Sequence, residues 1–419
     1  MIGLVDCNNF YVSCERAFDP SLNGMPVIVL SNNDGCAISR SNEAKELGIK
    51  MGSPAFMIEK LIKENNVKVF SSNYTLYGDM SQRVMTLLSR FASEVEIYSI
   101  DEAFLFLDGF DHLNLYEYGQ TIIKTIKRST GIPVSMGIAP TKTLAKMANK
   151  LAKKNKNTNG VFVIEKEMIE SVLKDYPVED VWGIGGQHSK LLKKHGVQSA
   201  YDFIQFPKEW IRKNLTVVGL RLWDELHGWP RIDAELEVPS KKNICTSRSF
   251  GMMQTEYSTI EEATATYAAS CAEKLRKQKS CAGVMMVFLH TNQFRADLPQ
   301  YAKNIVIKLP VPTNSSIALV HYAKQGLKRI YKKGFSYKKS GIIVSDFVPE
   351  ANVQQNFFDN NDREKHSTVM KVMDNLNENY GKGKVRIATQ GFSGKWYLKQ
   401  EMLSKRFTTQ WSELITIQI

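Results

Sequence analysis

Three acidic residues stand where the chain could bring carboxylates together. Asp6 closes the apolar run Ile2 to Val5, which reads as a central strand delivering a carboxylate at its C-terminal end. Asp101 and Glu102 are neighbours in EVEIYSIDEAFLFLDG, a segment that alternates, turns and alternates again, as a β-hairpin bent near Ile100 and Asp101 would. On a regular strand adjacent side chains face opposite ways, whereas at a bend both can converge with Asp6. Three carboxylates meeting there would make an oxygen site suited to hard Mg2+ ions, which take acidic oxygens and substrate phosphates rather than thiols. Two such ions can activate an attacking hydroxyl and stabilise a leaving pyrophosphate. The plainer alternative is a strand-end turn residue beside an ordinary hairpin bend, and spacing alone leaves both open.

The elements that must position these residues read as a βαβ-rich, ferredoxin-like sheet. Residues 26–31 form a second strand, and after the turn-rich NNDG the stretch Ala37 to Leu47 is expected to be a helix stopped by Gly48. A longer helix is expected from Tyr77 to Phe91, before the hairpin. Beyond it come a helix from Leu115 to Ser129, a strand from Val134 to Ile138, a helix from Thr141 to Lys154 and a short strand from Gly160 to Ile164. From about 168 to 235 the pattern is all-helical and carries VWGIGGQ, and the acidic stretch IDAELEVPS reads as a linker. A second β-α-β-β-α-β unit spans Ile244 to Phe347. The polar VQQNFFDNND that follows reads as a flexible tether, and residues 365–419 suggest no chemistry of their own.

The 419 residues, 43% apolar and 23% charged, can bury several cores, which excludes a disordered chain, a collagen-like repeat and a disulfide mini-scaffold. Length alone predicts about two to four domains. The longest apolar runs, such as Ala282 to Leu289, fall far short of the roughly 20 residues of a membrane-spanning helix. MIGLVDCNNF has neither the basic region nor the cleavage site of a signal peptide, so a cytoplasmic protein is expected. Its six cysteines are scattered, as buried reduced thiols are. The net charge of +12 is concentrated: residues 241–350 hold 17 Lys and Arg against 7 Asp and Glu. A basic module on a near-neutral body suggests a polyanionic partner, most often nucleic acid.

VDCNNFYVSCE at 5–15 and YSIDEAF at 98–104 closely resemble the two palm motifs of the Y-family, lesion-bypass DNA polymerases. The likeness continues in order through GCAISRSNEAKELGIKMG, GIAPTKTLAKMANKLAKK and WGIGG. TSRSFG and EMLSKRFTTQW look most like the UmuC-type branch. The resemblance implies an α+β, multidomain right-hand polymerase. Its parts would be a ferredoxin-like palm (1–14 and 75–165), small fingers (15–74), a helical thumb with a helix-hairpin-helix (166–235), a β-α-β-β-α-β little finger (236–350) and a C-terminal extension (351–419). It further implies error-prone translesion synthesis, joining a dNTP to a primer 3′-hydroxyl with two Mg2+ ions.

Carried over residue by residue, the resemblance makes Asp6, Asp101 and Glu102 the metal ligands and catalytic carboxylates, with the backbone carbonyl of Cys7 completing one site. Tyr11 matches the steric gate, a ring under the incoming sugar that a 2′-hydroxyl would strike, while Phe10 better fits a core aromatic. Where the family's fingers carry Tyr-Glu-Ala-Arg, this chain has Asn42-Glu43-Ala44-Lys45, so Lys45 keeps the charge without arginine's bidentate fork. Ser39 and Arg40, one turn earlier, would help bind the triphosphate. Lys153 matches a phosphate-binding lysine, with Lys154 the alternative one residue on. Gly183, Gly185 and Gly186 resemble a hairpin that lets backbone N–H groups reach a DNA phosphate. Ser247, Arg248 and Ser249, on an expected edge strand, are candidate DNA contacts. Gln354, Gln355, Phe357 and Phe358 look like a sliding-clamp peptide. The implied partners are primer-template DNA, dNTPs, a sliding clamp, a small accessory UmuD-like subunit and a recombinase filament, with no membrane. A nucleotidyl cyclase could share the palm and its carboxylates, and a catalytically weak DNA-binding recruitment factor at the clamp is the non-enzyme alternative.

Overall fold

The computed structural model describes residues 1–110, 112–237, 239–354, 356 and 363–415. The chain divides into two units, one made of Met1–Ser31, Gly35–Val238 and Met402–Ile419, the other of Asn32–Asp34 and Pro239–Glu401.

In the first unit β1 (Ile2–Cys7) leads into α1 (Phe10–Phe18). β2 (Val27–Leu30) lies between β3 (Ala37–Arg40), antiparallel, and β4 (Lys68–Ser71), parallel, in a small sheet. α2 (Asn42–Glu46) and α3 (Glu59–Glu64) add Ala44, Leu61 and Ile62 to its core around Ile28, Leu30 and Ile49. The expected helix over Ala37 to Leu47 is therefore half strand. Ala37 and Ser39 are buried while Ile38 and Arg40 are half-exposed, the two-residue period of a strand. Ser41 then caps α2 by accepting from Ala44 N, so the helix cannot begin earlier.

α4 (Tyr74–Leu88) starts three residues before expectation because Asn73 caps it. It precedes the hairpin of β5 (Glu94–Ile97) and β6 (Glu102–Phe106). α5 (Leu115–Thr130), β7 (Val134–Ala139), α6 (Lys142–Lys154) and β8 (Val161–Val163) complete a five-stranded sheet ordered β5-β6-β1-β7-β8. β1 runs through its centre, antiparallel to β6 and β7. Both of its faces are covered, which is why IGLVDC is apolar throughout: Val5 and Cys7 pack with Tyr77 and Ile122, and Leu4 with Phe104, Leu144 and Ala148.

α6 lies directly on β7. A Cβ at Gly137 would come within 2.0 Å of Asn149 N and 2.4 Å of Ala145 O, so only glycine permits this approach. Asn149 Nδ2 then donates to the Leu4 and Ser135 carbonyls at 3.2 and 2.8 Å, fixing how α6 is turned about its axis. α7 (Ile169–Asp175), α8 (Gly186–Lys194), α9 (Ala200–Ile204) and α10 (Lys208–Leu226) extend the same core through Leu173, Leu192, Phe203 and Leu222.

The second unit is the expected β-α-β-β-α-β: β9 (Ile244–Gln254), α11 (Tyr257–Lys277), β10 (Ser280–Thr291), β11 (Ala302–Thr313), α12 (Ser316–Ile330) and β12 (Tyr337–Pro349). Its antiparallel sheet, ordered β11-β10-β12-β9, packs with both helices around Phe250, Tyr267, Leu289 and Val344. α13 (Arg363–Tyr380), which no sequence expectation covered, joins it through buried Met370 and a forked pair in which Arg276 donates to Asp374 at 2.6 and 2.7 Å. No helix among the described residues is long and apolar enough to cross a membrane.

Candidate functional site

Asp6 faces Glu102 across the β1–β6 register, and Cys7 N donates to the Asp101 carbonyl at 2.8 Å. The hairpin bend thus brings the three acidic residues to one end of the sheet. Ser99 organises that bend: its hydroxyl accepts from the amides of Asp101 and Glu102 at 3.2 and 3.1 Å and donates to Asp101 Oδ1 at 2.6 Å. Glu102 receives Lys146 on both oxygens, at 3.0 and 3.1 Å, with the ammonium 4.4 Å from the centre of the Tyr98 ring. Asp6 Oδ1 lies 2.5 Å from Lys153 Nζ. Burial, opposed by Lys153 but reinforced by the charges of Glu102 and Asp101, pushes the Asp6 carboxyl up to about 6. Burial also drives the Cys7 thiol far upward, so its side chain stays protonated and only its carbonyl can serve a cation. Among the described residues no group of three or more His, Cys, Asp or Glu side chains stands in ready-made metal geometry.

Besides Lys146, the cations Arg40, Lys45 and Lys153 belong to this region. Burial, then Arg40 and Lys153, hold the Lys45 ammonium below its ordinary value, while Asp6 works the other way, so Lys45 senses all three charges. Lys45 Nζ donates to Asn9 Oδ1 at 2.6 Å, and Asn9 Nδ2 to Asn42 Oδ1 at 3.1 Å. Asn9 takes a left-handed conformation, φ +48°, which asparagine tolerates. Arg40 Nη1 donates to the Ile49 carbonyl at 2.6 Å, while its buried Nε has no hydrogen-bond partner among the described residues. Ser39 is 7% exposed and braces α1 internally, donating to Asn9 O and accepting from Val12 N. Of the two candidate lysines at the end of α6, Lys153 is the one that reaches Asp6.

An aromatic wall completes the arrangement. Phe10 is buried in the core, as expected, and Tyr11 is half-buried at the start of α1. The Tyr11 ring stacks on Tyr77 at 4.5 Å and 14°, with Tyr74 edge-on at 6.0 Å. Burial, with Tyr74 and Asp101 adding to it, pushes the Tyr11 hydroxyl up to about 12, so it stays neutral.

The other candidates lie apart from this cluster in sequence. Gly183 has φ +94°, which demands glycine, whereas Gly185 and Gly186 open α8 with nothing within 4 Å of an added Cβ. Packing therefore leaves those two glycines unexplained, and they offer bare backbone at a helix N-terminus. In the second unit Ser247, Arg248 and Ser249 sit on β9, an edge strand as expected, with Arg248 exposed. Gln354 is exposed; Gln355, Phe357 and Phe358 lie outside the described residues.

Sequence reasoning missed the partners of the carboxylates. On α6 they form a ladder, Lys142 to Glu96, Lys146 to Glu102, Lys150 to Asp180 and Lys153 to Asp6, at 2.5 to 3.0 Å. The signal was there in the four-four-three spacing of these lysines, one face of a helix.

Residues 5–150 match the impB/mucB/samB family, residues 241–357 the C-terminal domain of that family, and residues 367–417 a domain of unknown function, DUF4113. Protein UmuC of Salmonella typhimurium is 42% identical over the whole of both chains. DNA polymerase IV of Bacillus velezensis is 25% identical over 91% of both. A solved Y-family DNA polymerase chimera has the same fold, with a TM-score of 0.65 and 21% identity over 83% of this chain and all of its own. The chain belongs to the impB/mucB/samB family, the family that its relative protein UmuC represents.

Proposed function

We propose that this chain extends a DNA primer on a template, attaching a dNTP to the primer 3′-hydroxyl in error-prone translesion synthesis. The observation that carries the reading is the meeting of Asp6, Asp101 and Glu102 with Arg40, Lys45 and Lys153 beside a tyrosine wall. The acidic set fits Mg2+: its donors are all oxygens, and burial with the charges of Glu102 and Asp101 raises the Asp6 carboxyl against the pull of Lys153. Asp6, Asp101, Glu102 and the Cys7 carbonyl would hold two such ions. When bound, they would lower the barrier to hydroxyl attack and neutralise the departing pyrophosphate.

The remaining roles belong to the chain's own residues. Arg40, Lys45 and Lys153 bind the triphosphate, and Lys153 gives up Asp6 as the phosphates arrive. Ser39, next to Arg40 on β3, ties that strand to the start of α1 through Asn9 and Val12. Tyr11 presents its ring to the sugar and excludes a 2′-hydroxyl. Gly183, Gly185 and Gly186 admit a DNA phosphate at the start of α8, and Ser247, Arg248 and Ser249 grip backbone from β9, contacts that position without reading sequence. In this reading 1–14 with 75–165 is the palm, 15–74 the fingers, 166–235 the thumb, 236–350 the little finger and 351–419 the extension. Gln354, Gln355, Phe357 and Phe358 would dock on a sliding clamp, and an accessory subunit and a recombinase filament would assist, in the cytoplasm.

Primer extension by the purified chain with Mg2+ and dNTPs, beside Asp101→Ala, tests the proposal. Extension is expected from the wild type and not from the variant. Equal extension by both would overturn the carboxylate assignment. Silence of the wild type, even with clamp and accessory protein, would favour a DNA-binding recruitment role.

A further inference from the structure

Residues 402–409 lie in the region that matches a domain of unknown function, and they pack within the first unit. Ser71 N donates to the Met402 carbonyl at 2.8 Å, and Met402 N to the Ser71 hydroxyl at 3.0 Å. Asn73 caps α4 with its Oδ1 and gives its Nδ2 to the Ser404 hydroxyl and carbonyl at 3.0 and 3.1 Å. Phe407 stacks on Phe18 of α1, with ring centres 4.8 Å apart. The segment therefore joins the end of β4, the first turn of α4 and the last turn of α1.

At the centre of these contacts is Glu15, 2% exposed. Its Oε1 accepts from the Tyr77 hydroxyl at 2.6 Å and from the Ser404 hydroxyl at 2.9 Å. A buried carboxylate is costly unless donors surround it, so the two hydroxyls and the carboxylate hold one another in place. Tyr77 is in turn the plate on which Tyr11 stacks. Three direct contacts run from Ser404 through Glu15 and Tyr77 to Tyr11.

We propose that Met402–Thr409 is a strap that fixes the Tyr11 ring, making Ser404 a positioning residue for the choice between deoxyribose and ribose in the incoming nucleotide. The inference rests on the reading of Tyr11 as the gate. Removing the Ser404 hydroxyl leaves Glu15 one donor short and takes an acceptor from Asn73. Tyr77 and the N-terminus of α4 then lose their hold on the strap, and the surface behind Tyr11 is free to shift.

The test compares full-length wild type with Ser404→Ala, Ser404→Thr and Tyr11→Ala. The readouts are the ratio of kcat/KM for dNTP over rNTP, and hydrogen exchange at the α4 amides. Ser404→Ala is expected to lower the ratio about fivefold, the factor one net hydrogen bond corresponds to, with dNTP kcat/KM within about twofold and Ser404→Thr restoring the wild-type ratio. Exchange at residues 74–80 should quicken in Ser404→Ala. An unchanged ratio in Ser404→Ala beside a collapsed one in Tyr11→Ala overturns the strap and leaves the gate standing. A ratio unmoved by Tyr11→Ala overturns the gate itself. Since exchange needs no catalysis, unchanged exchange at the α4 amides overturns the coupling whether or not the chain extends primers.

Discussion

Lys142 is 1% exposed and meets Glu96, itself 6% exposed, at 2.5 Å. The ammonium also donates to the Asp233 carbonyl at 2.7 Å and lies 5.2 Å from the centre of the Phe104 ring. Glu96 in turn accepts from Glu235 N at 3.0 Å. Replacing Lys142 with methionine keeps the volume and strands the carboxylate, and breaking a buried pair in this way costs about 3–5 kcal/mol. For a unit of about 250 residues that is a fall of roughly 6–10 °C in the melting temperature of the first unit. Lys142→Met with Glu96→Gln should recover most of the loss, because the neutral amide still accepts from Glu235 N and no charge is left unpaired. Scanning calorimetry of wild type, both single variants and the double variant gives the coupling directly. A cost below about 1 kcal/mol for Lys142→Met, the range of a surface bridge, would refute the argument. So would a double variant no more stable than that single one. Glu96 belongs to β5, so the same loss should loosen the hairpin that carries Asp101 and Glu102 and slow primer extension beyond what stability explains.

Gly137→Ala forces α6 off β7, and we expect it to cost at least about 3 kcal/mol and to abolish extension, since the lysine ladder moves with the helix; a variant that melts like wild type would contradict this. Gly185→Ala and Gly186→Ala should leave melting unchanged and weaken primer-template binding in fluorescence anisotropy, whereas Gly183→Ala, at φ +94°, should lower stability by about 1 kcal/mol. Equal DNA affinity in the first two would remove those glycines from the DNA surface. Burial, against the hydroxyls of Tyr77 and Ser404, holds the Glu15 carboxyl above its ordinary 4.5. The native chain therefore keeps that proton longer than the unfolded one, and the contribution of Glu15 is full at low pH and shrinks as pH rises through the raised value. The stability of Glu15→Gln relative to wild type should accordingly climb from about pH 4.5 upward, and a flat difference in urea melts would refute the shift.

Much of the site could be read in the residues because its signals are local. A carboxylate at the end of an apolar strand and two more at a hairpin bend are each written within a few positions, and the register of β1 with β6 joins them as expected. The β-α-β-β-α-β unit was legible for the same reason. What stayed hidden depends on partners far along the chain. Ala37–Arg40 is a strand because Ile28 and Val29 offer an edge, which outweighs the helical bias of that composition. Ser39 looked like a phosphate ligand, but its hydroxyl already joins Asn9 to Val12. Ser404 meets Glu15 across 389 positions, and no window of sequence contains both.

The path of the chain makes the second unit an insertion: it is entered near residue 239 and left near residue 401, with folded parts of the first unit on either side. A protease that cuts within IDAELEVPS would therefore not release two separate particles. The fragment carrying the second unit would still end in the segment held at Ser71, Asn73 and Glu15, so the nicked protein should elute as one species until denaturant separates the pieces. The same route gives a means of splitting the molecule for reassembly. Two chains cut at that linker, made separately and mixed, need only find this docking surface to restore what the covalent link supplied, an effective local concentration in the millimolar range.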